Sequence, residues 1–241
     1  MQRARTNAIL AQLPSDEFLF LLPHLKLVSL QKGDILFEPG GSIGHYYFPV
    51  SCGIELAVDL ADGSFGLTSF VSMGGIYPLH LIGQIPSHNR ATVSSAGLCY
   101  RAPAWAVHEA LRRHPHFLWL LLNEAVKLFE QASIESVCLR HHSLAQITAK
   151  LILLSLDNTQ SSVLSLTHQE MANALGVRRE GITMALREFK QRQYITTHRG
   201  GLTVQDRSGP ERSACDCYQT LRGFRQAGQD ISAGRKRLND R

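Results

Sequence analysis

The sequence predicts an α+β chain: a β-rich N-terminal half, one long helix, then a helical segment closed by a small β hairpin. Three observations carry this. Between Val28 and Arg101 short apolar runs alternate with glycine-containing turns. From Pro115 to about His142 an apolar stripe recurs at helical spacing. From Leu166 to Gln205 two short amphipathic helices and two β-rich runs follow in close order.

Residues 8–25 read as short helical pieces broken by Pro14 and Pro23. The β-rich part then breaks at Lys32-Gly33-Asp34, Pro39-Gly40-Gly41, Asp62-Gly63 and Met73-Gly74-Gly75. Strands are expected between these breaks, at 35–37, 46–48, 54–59, 65–71, 91–93 and 98–100. Many short strands at this spacing make a sandwich or β-roll. A short helix over 104–112 precedes the long one.

The long helix carries Leu118, Leu121, Leu122, Ala125, Leu128, Phe129, Ala132, Ile134 and Val137 on a wide stripe. At 1.5 Å per residue it reaches about 40 Å. The stripe has two possible partners, the β-roll or a second copy of the same helix, and the dimer seam is the expectation. Ser143 can cap a further, mostly apolar helix over 144–156, and Asp157–Ser162 reads as a polar loop.

Thr167 is a good N-cap, and Glu170 three residues on completes a capping box. Met171, Ala174 and Leu175 share one face of that helix, and Gly176 ends it. The second helix, about 178–191, buries Ile182, Ala185, Leu186 and Phe189 and turns Arg178, Arg179, Glu180, Thr183 and Arg187 outward. Residues 194–197 and 202–205 form a hairpin wing around His198-Arg199-Gly200-Gly201. This is the arrangement by which a helix enters the major groove N-terminus first. An Arg there can donate twice to guanine and a Glu can accept from cytosine. Base contacts are therefore assigned to Arg178, Arg179, Glu180 and Thr183, and backbone contacts to Thr167, Gln169, Arg187, His198 and Arg199.

Charge supports that division. Residues 1–139 hold 9 Lys+Arg against 11 Asp+Glu, a net of −2, and residues 140–241 hold 16 against 9, a net of +7. Phosphate contact then belongs to the C-terminal part. The N-terminal stretch lacks a secretory signal, no run is apolar enough to span a membrane, and five scattered cysteines fit a reducing cytoplasm. No catalytic residues are assigned, because the chain has no P-loop, G-x-G-x-x-G, H-E-x-x-H or G-x-S-x-G.

A β-roll, a long helix, a hinge and a winged helix-turn-helix, in that order, resembles the Crp/Fnr family of bacterial transcription regulators over nearly the whole chain. The most specific parts are LQKGDILFEPG at Leu30–Gly40 and Leu166–Gln205. CLRHHSLAQ (Cys138–Gln146), GVRREGIT (Gly176–Thr183) and Cys215-Asp216-Cys217-Tyr218 look like one subgroup of it, whose effector is generally unassigned. The resemblance implies a homodimer on palindromic double-stranded operators. It also implies a cyclic-nucleotide-binding-like, jelly-roll sensor whose effector shifts the dimer helix. The expected domains are 1–114 (sensor), 115–143 (dimer helix and hinge), 144–206 (winged helix-turn-helix) and 207–241 (basic tail). RNA polymerase is left open as a partner.

The family's cyclic-nucleotide cassette has the form G-E-L…R-S/T-A, and here Gly74-Gly75-Ile76-Tyr77-Pro78-Leu79…Asn89-Arg90-Ala91-Thr92 stands in its place. Arg90 matches, but no Glu precedes it to accept from a ribose hydroxyl, so cyclic AMP is not expected. The effector pocket implied by the resemblance is Gly75, Tyr77, His80, Arg90 and Thr92, its small-molecule effector unknown. Arg179 and Glu180 match the family's base-reading pair, whereas Met184 stands where cyclic-AMP-responsive members often have a basic residue. The iron–sulfur cluster of Fnr-like members needs cysteines near the N-terminus, and none precedes Cys52. No metal site is assigned either: Cys215-x-Cys217 would need two more ligands. Two alternatives stay open, a haem- or metal-based sensor using histidines such as His80 or His141-His142, and a β-roll interaction module with a non-specific basic surface.

Overall fold

The computed structural model describes residues 4–42, 44–61, 63, 65–71, 74–79, 87–159 and 161–224. Its residues divide into two compact units, one drawn from 1–56 and 69–130, the other from 57–68 and 131–223.

The first unit begins with helices α1 (Ala8–Gln12) and α2 (Ser15–Leu21). Asn7 caps α1 by accepting from the Leu10 amide at 3.1 Å. Its buried amide group also donates to the carbonyls of Pro49 and Gly75, both at 2.9 Å. A fully buried Asn is tolerated because every one of these polar atoms is partnered. Strands β1 (Lys26–Leu30), β2 (Ile35–Phe37), β3 (His45–Pro49), β4 (Gly53–Asp59), β5 (Phe65–Val71), β6 (Asn89–Ser95) and β7 (Gly97–Pro103) follow along the chain, the end of β4 and the start of β5 being grouped with the second unit. They form two sheets, ordered β1-β7-β3 and β2-β6-β4-β5. This is the expected roll, with β1 added at one edge.

Helix α3 (Ala104–Arg113) leads into α4 (Pro115–His141), 27 residues long. The wide stripe read from the sequence splits into two rows. Leu121 is fully buried, and Leu128 and Ala125 pack against the core with Phe117 and Leu120. Leu118 and Ile134 are half-buried, and Ala132 is exposed. The exposed row is Trp119 (64 %), Leu122 (38 %), Val126 (59 %) and Phe129 (69 %), with Val137 further along. These four alternate by three and four residues, the spacing of a coiled-coil seam. The residues assigned to the dimer helix therefore fall on both rows, and the exposed Trp119 and Val126 lie outside that assignment. The reason is angular: a stripe wide enough to serve two partners gives no marker of which flank meets which.

In the second unit, Ser143 and Gln146 cap helix α5 (Leu144–Thr159) reciprocally. The Gln146 side chain accepts from the Ser143 amide at 3.0 Å, and the Ser143 hydroxyl accepts from the Gln146 amide at 3.4 Å. Helix α5 is buried along most of its length, including Lys150, which pairs with Glu135. Strand β8 (Val163–Leu164), helices α6 (His168–Leu175) and α7 (Arg179–Gln191), and strands β9 (Ile195–His198) and β10 (Gly201–Val204) complete the motif. The wing is a three-stranded sheet, β8-β10-β9, where a two-stranded hairpin was expected. Two residues of pairing, Leu202 with Leu164 and Thr203 with Val163, are too short to read from periodicity. Gly201 permits it, because a Cβ there would lie 2.0 Å from the Leu164 carbonyl oxygen.

The expected basic tail begins as folded structure. Helix α8 (Ser208–Ser213) packs on α5, and residues 217–224 are helical. Arg207 donates to Asp157 at 2.7 Å and to the Tyr218 hydroxyl at 2.6 Å, and Tyr218 donates to Asp157 at 3.1 Å. The charged composition of 207–224 concealed an ion-paired anchor; residues 225–241 lie outside the described residues.

Candidate nucleic-acid interface

Helix α6 starts at a capping box. The Glu170 amide donates to the Thr167 hydroxyl at 3.2 Å, and the Thr167 amide donates to the Glu170 carboxylate at 2.7 Å. A hydroxyl that accepts a cap bond keeps its own proton for an outside acceptor. Gln169 is exposed beside it, its amide donating to Asn173 at 2.8 Å. Gly176 closes the helix at φ 63°, the left-handed conformation expected of it. Met171 and Ala172 are the fully buried residues of α6, while Ala174 and Leu175 are half-buried.

Helix α7 buries Ile182, Leu186 and Phe189 and packs on both α5 and α6. Gly181 sits against α5, where a Cβ would meet Leu144 at 2.9 Å. On the other side Arg178, Arg179, Glu180, Thr183, Met184 and Arg187 are all exposed. Positions 179, 180, 183, 184 and 187 share one face at i, i+3 and i+4 spacing. Arg178 is the N-cap and makes no side-chain cap bond, while its carbonyl accepts from the Gly181 amide at 3.0 Å.

Sequence reasoning missed one member of this site. His168, the first residue of α6, places Nδ1 3.0 Å from the Thr183 hydroxyl, which lies 3.1 Å from the Arg179 carbonyl. Thr183 must donate to that carbonyl, so His168 donates through Nδ1–H and is held in that tautomer. Burial first, then the charges of Arg179 and Lys190, hold its pKa below the ordinary histidine value. Its position next to Thr167 and Gln169 was the available signal. The wing brings His198 and Arg199 to an exposed turn with Gly200 at φ 91°; His198 Nδ1 lies 3.3 Å from the Arg199 carbonyl.

The residues of the implied effector pocket are less coherent. Gly75 is buried, its carbonyl held by Asn7, and Tyr77 packs in the cluster of Phe37, Ile54, Leu56, Val71 and Ala91. Arg90 and Thr92, half-buried, flank Ala91 and so occupy the opposite face of β6. His80 lies outside the described residues.

Residues 145–209 match the model of the Crp-like helix-turn-helix domain. No curated protein matches the chain significantly. Among solved structures, a putative Crp/Fnr-family transcriptional regulator from Eubacterium rectale superposes with a TM-score of 0.68 at 17 % identity, covering 84 % of this chain and 95 % of that one. A Crp/Fnr-family transcriptional regulator from Thermus thermophilus gives 0.67 at 21 % identity over 78 % and 98 %. FixK2 from Bradyrhizobium japonicum gives 0.62 at 14 % identity over 79 % and 98 %. The chain thus carries a Crp-like helix-turn-helix domain within the fold of the Crp/Fnr family of transcription regulators.

Proposed function

We propose that this chain is a cytoplasmic, homodimeric, sequence-specific DNA-binding regulator and not an enzyme, with the β-roll sensing an effector other than cyclic AMP. The observation that carries the reading is the outer face of α7. Arg179, Glu180 and Thr183 are exposed in its first turns, beside the capped N-terminus of α6. Arg179 and Glu180 read base edges. Thr183, its hydroxyl engaged by Arg179 and His168, offers a methyl and a remaining lone pair. Thr167, Gln169, Arg187, His198 and Arg199 position the duplex through its phosphates.

Dimer formation is supported by the exposed row Trp119, Leu122, Val126 and Phe129 on α4. Large apolar side chains at seam spacing are costly to leave in water. Two copies would place two α7 helices in successive major grooves of a palindromic site. The missing ribose-accepting Glu before Arg90 supports an effector different from cyclic AMP.

The test is binding of the purified protein, without added ligand, to its own upstream region at near-physiological salt against excess scrambled duplex. Binding that survives the competitor establishes sequence-specific recognition and a resting dimer already competent for DNA. Binding that the competitor removes would point to a required effector or an operator elsewhere, whereas DNA binding insensitive to changes at Arg179 and Glu180 would refute sequence-specific recognition by this face.

A further inference from the structure

Cys215-x-Cys217 lacks two ligands in the sequence, and the fold supplies candidates for both. Cys138 and His142 stand four residues apart at the end of α4, which puts their side chains on one face. Cys138 Sγ lies 3.5 Å from Cys215 Sγ, and Cys217 Sγ lies 3.7 Å from His142 Nδ1. All four donor atoms fall within 4.8 Å of one another. In a tetrahedral zinc site, metal–sulfur bonds of about 2.3 Å and metal–nitrogen bonds of about 2.0 Å require S···S edges of about 3.8 Å and S···N edges of about 3.5 Å. The observed spacings lie close to both. A disulfide would use two of these groups and leave the convergence of the other two without a reason.

The surroundings fit as well. Cys138 and Cys215 are buried with Ile147, and Leu175 packs against them. His142 Nε2 faces the Asp216 carboxylate at 3.5 Å, the outer partner that turns Nδ1 toward a metal. Lys150, nearly fully buried and paired with Glu135, lies beside Cys138.

We propose that Cys138, His142, Cys215 and Cys217 form a closed structural site for one zinc ion. Three thiolates and a neutral imidazole around a dication carry a net charge of −1, beside the Lys150 ammonium that Glu135 pairs. Binding releases one proton from each thiol that was protonated. Thiolates favour zinc over magnesium or calcium, and four protein ligands leave no open position for catalysis. The ion clasps the segment after the wing to the end of α4, closing a long loop of chain.

The test uses full-length, untagged protein prepared without chelators. Elemental analysis is expected to find about one zinc per chain, retained in Cys52→Ser and Cys99→Ser and lost in Cys138→Ser and Cys215→Ser. Should those last two variants misfold, the wild-type protein refilled with cobalt decides alone. Thiolate-to-metal charge transfer with intense tetrahedral d–d bands supports the site. A weak octahedral spectrum, zinc well below one per chain, or a Cys138–Cys215 disulfide in the freshly isolated protein overturns it.

Discussion

Thr167 has two separable tasks, and one substitution distinguishes them. Its hydroxyl oxygen accepts from the Glu170 amide at 3.2 Å, and its hydroxyl proton is assigned to a DNA phosphate. Thr167→Ala removes the cap acceptor but keeps the backbone amide that donates to Glu170, so half the capping box survives. The loss should be about 1 kcal/mol. The second unit spans roughly 100 residues, for which 1 kcal/mol moves Tm by about 4 °C. Thr167→Asp restores a cap acceptor as good as Thr and complements the helix dipole, so Tm should return to within about 1 °C of wild type. On DNA the order inverts. Ala loses one phosphate bond, about 1 kcal/mol or fivefold in Kd. Asp turns a carboxylate toward phosphate and should weaken binding tenfold or more on every sequence alike. Thermal unfolding and fluorescence-anisotropy titration read the two effects separately. A Thr167→Asp protein that melts like the Ala variant refutes the capping argument, and one that binds like wild type refutes the placement of α6 against the backbone.

Arg179→Ala should relax preference at one base pair by roughly 1–3 kcal/mol, while Arg187→Ala weakens all duplexes similarly; equal, sequence-blind losses in a selection experiment would contradict this division. His168 is held below its ordinary pKa, so the unfolded chain binds its proton first. Its contribution is complete above about pH 6.5 and is lost as the pH falls from there through the lowered folded value. His168→Gln should flatten that part of the stability curve in urea unfolding, and an unchanged slope would remove His168 from the argument. Val126→Glu puts two carboxylates into the proposed seam, and sedimentation should show monomers without loss of helicity if the exposed row of α4 pairs two chains.

Where short-range signals set the structure, the sequence was a sufficient guide. The capping box at Thr167 and Glu170, the glycine stop at Gly176 and the apolar spacing of Ile182, Leu186 and Phe189 depend on neighbours within four residues. Each has its predicted form for that reason. The strands between glycine turns were legible on the same grounds, since alternation and breakers are local. Strand β8 was not, because two residues carry no period.

Three features depended on contacts distant in sequence, and only the tertiary structure decided them. Helix α4 was apolar over a wide arc, and packing alone chose Leu121 for the core and left Trp119 and Val126 outside. His168 joined the α7 face because α6 and α7 cross, bringing positions 15 residues apart into hydrogen-bond reach. Cys138 and Cys215, 77 residues apart, meet because the segment after the wing folds back on α5 and the end of α4. Helical and strand periods report burial along one element. Which partner covers that element, and what it brings from far along the chain, is set by the closure of the whole core.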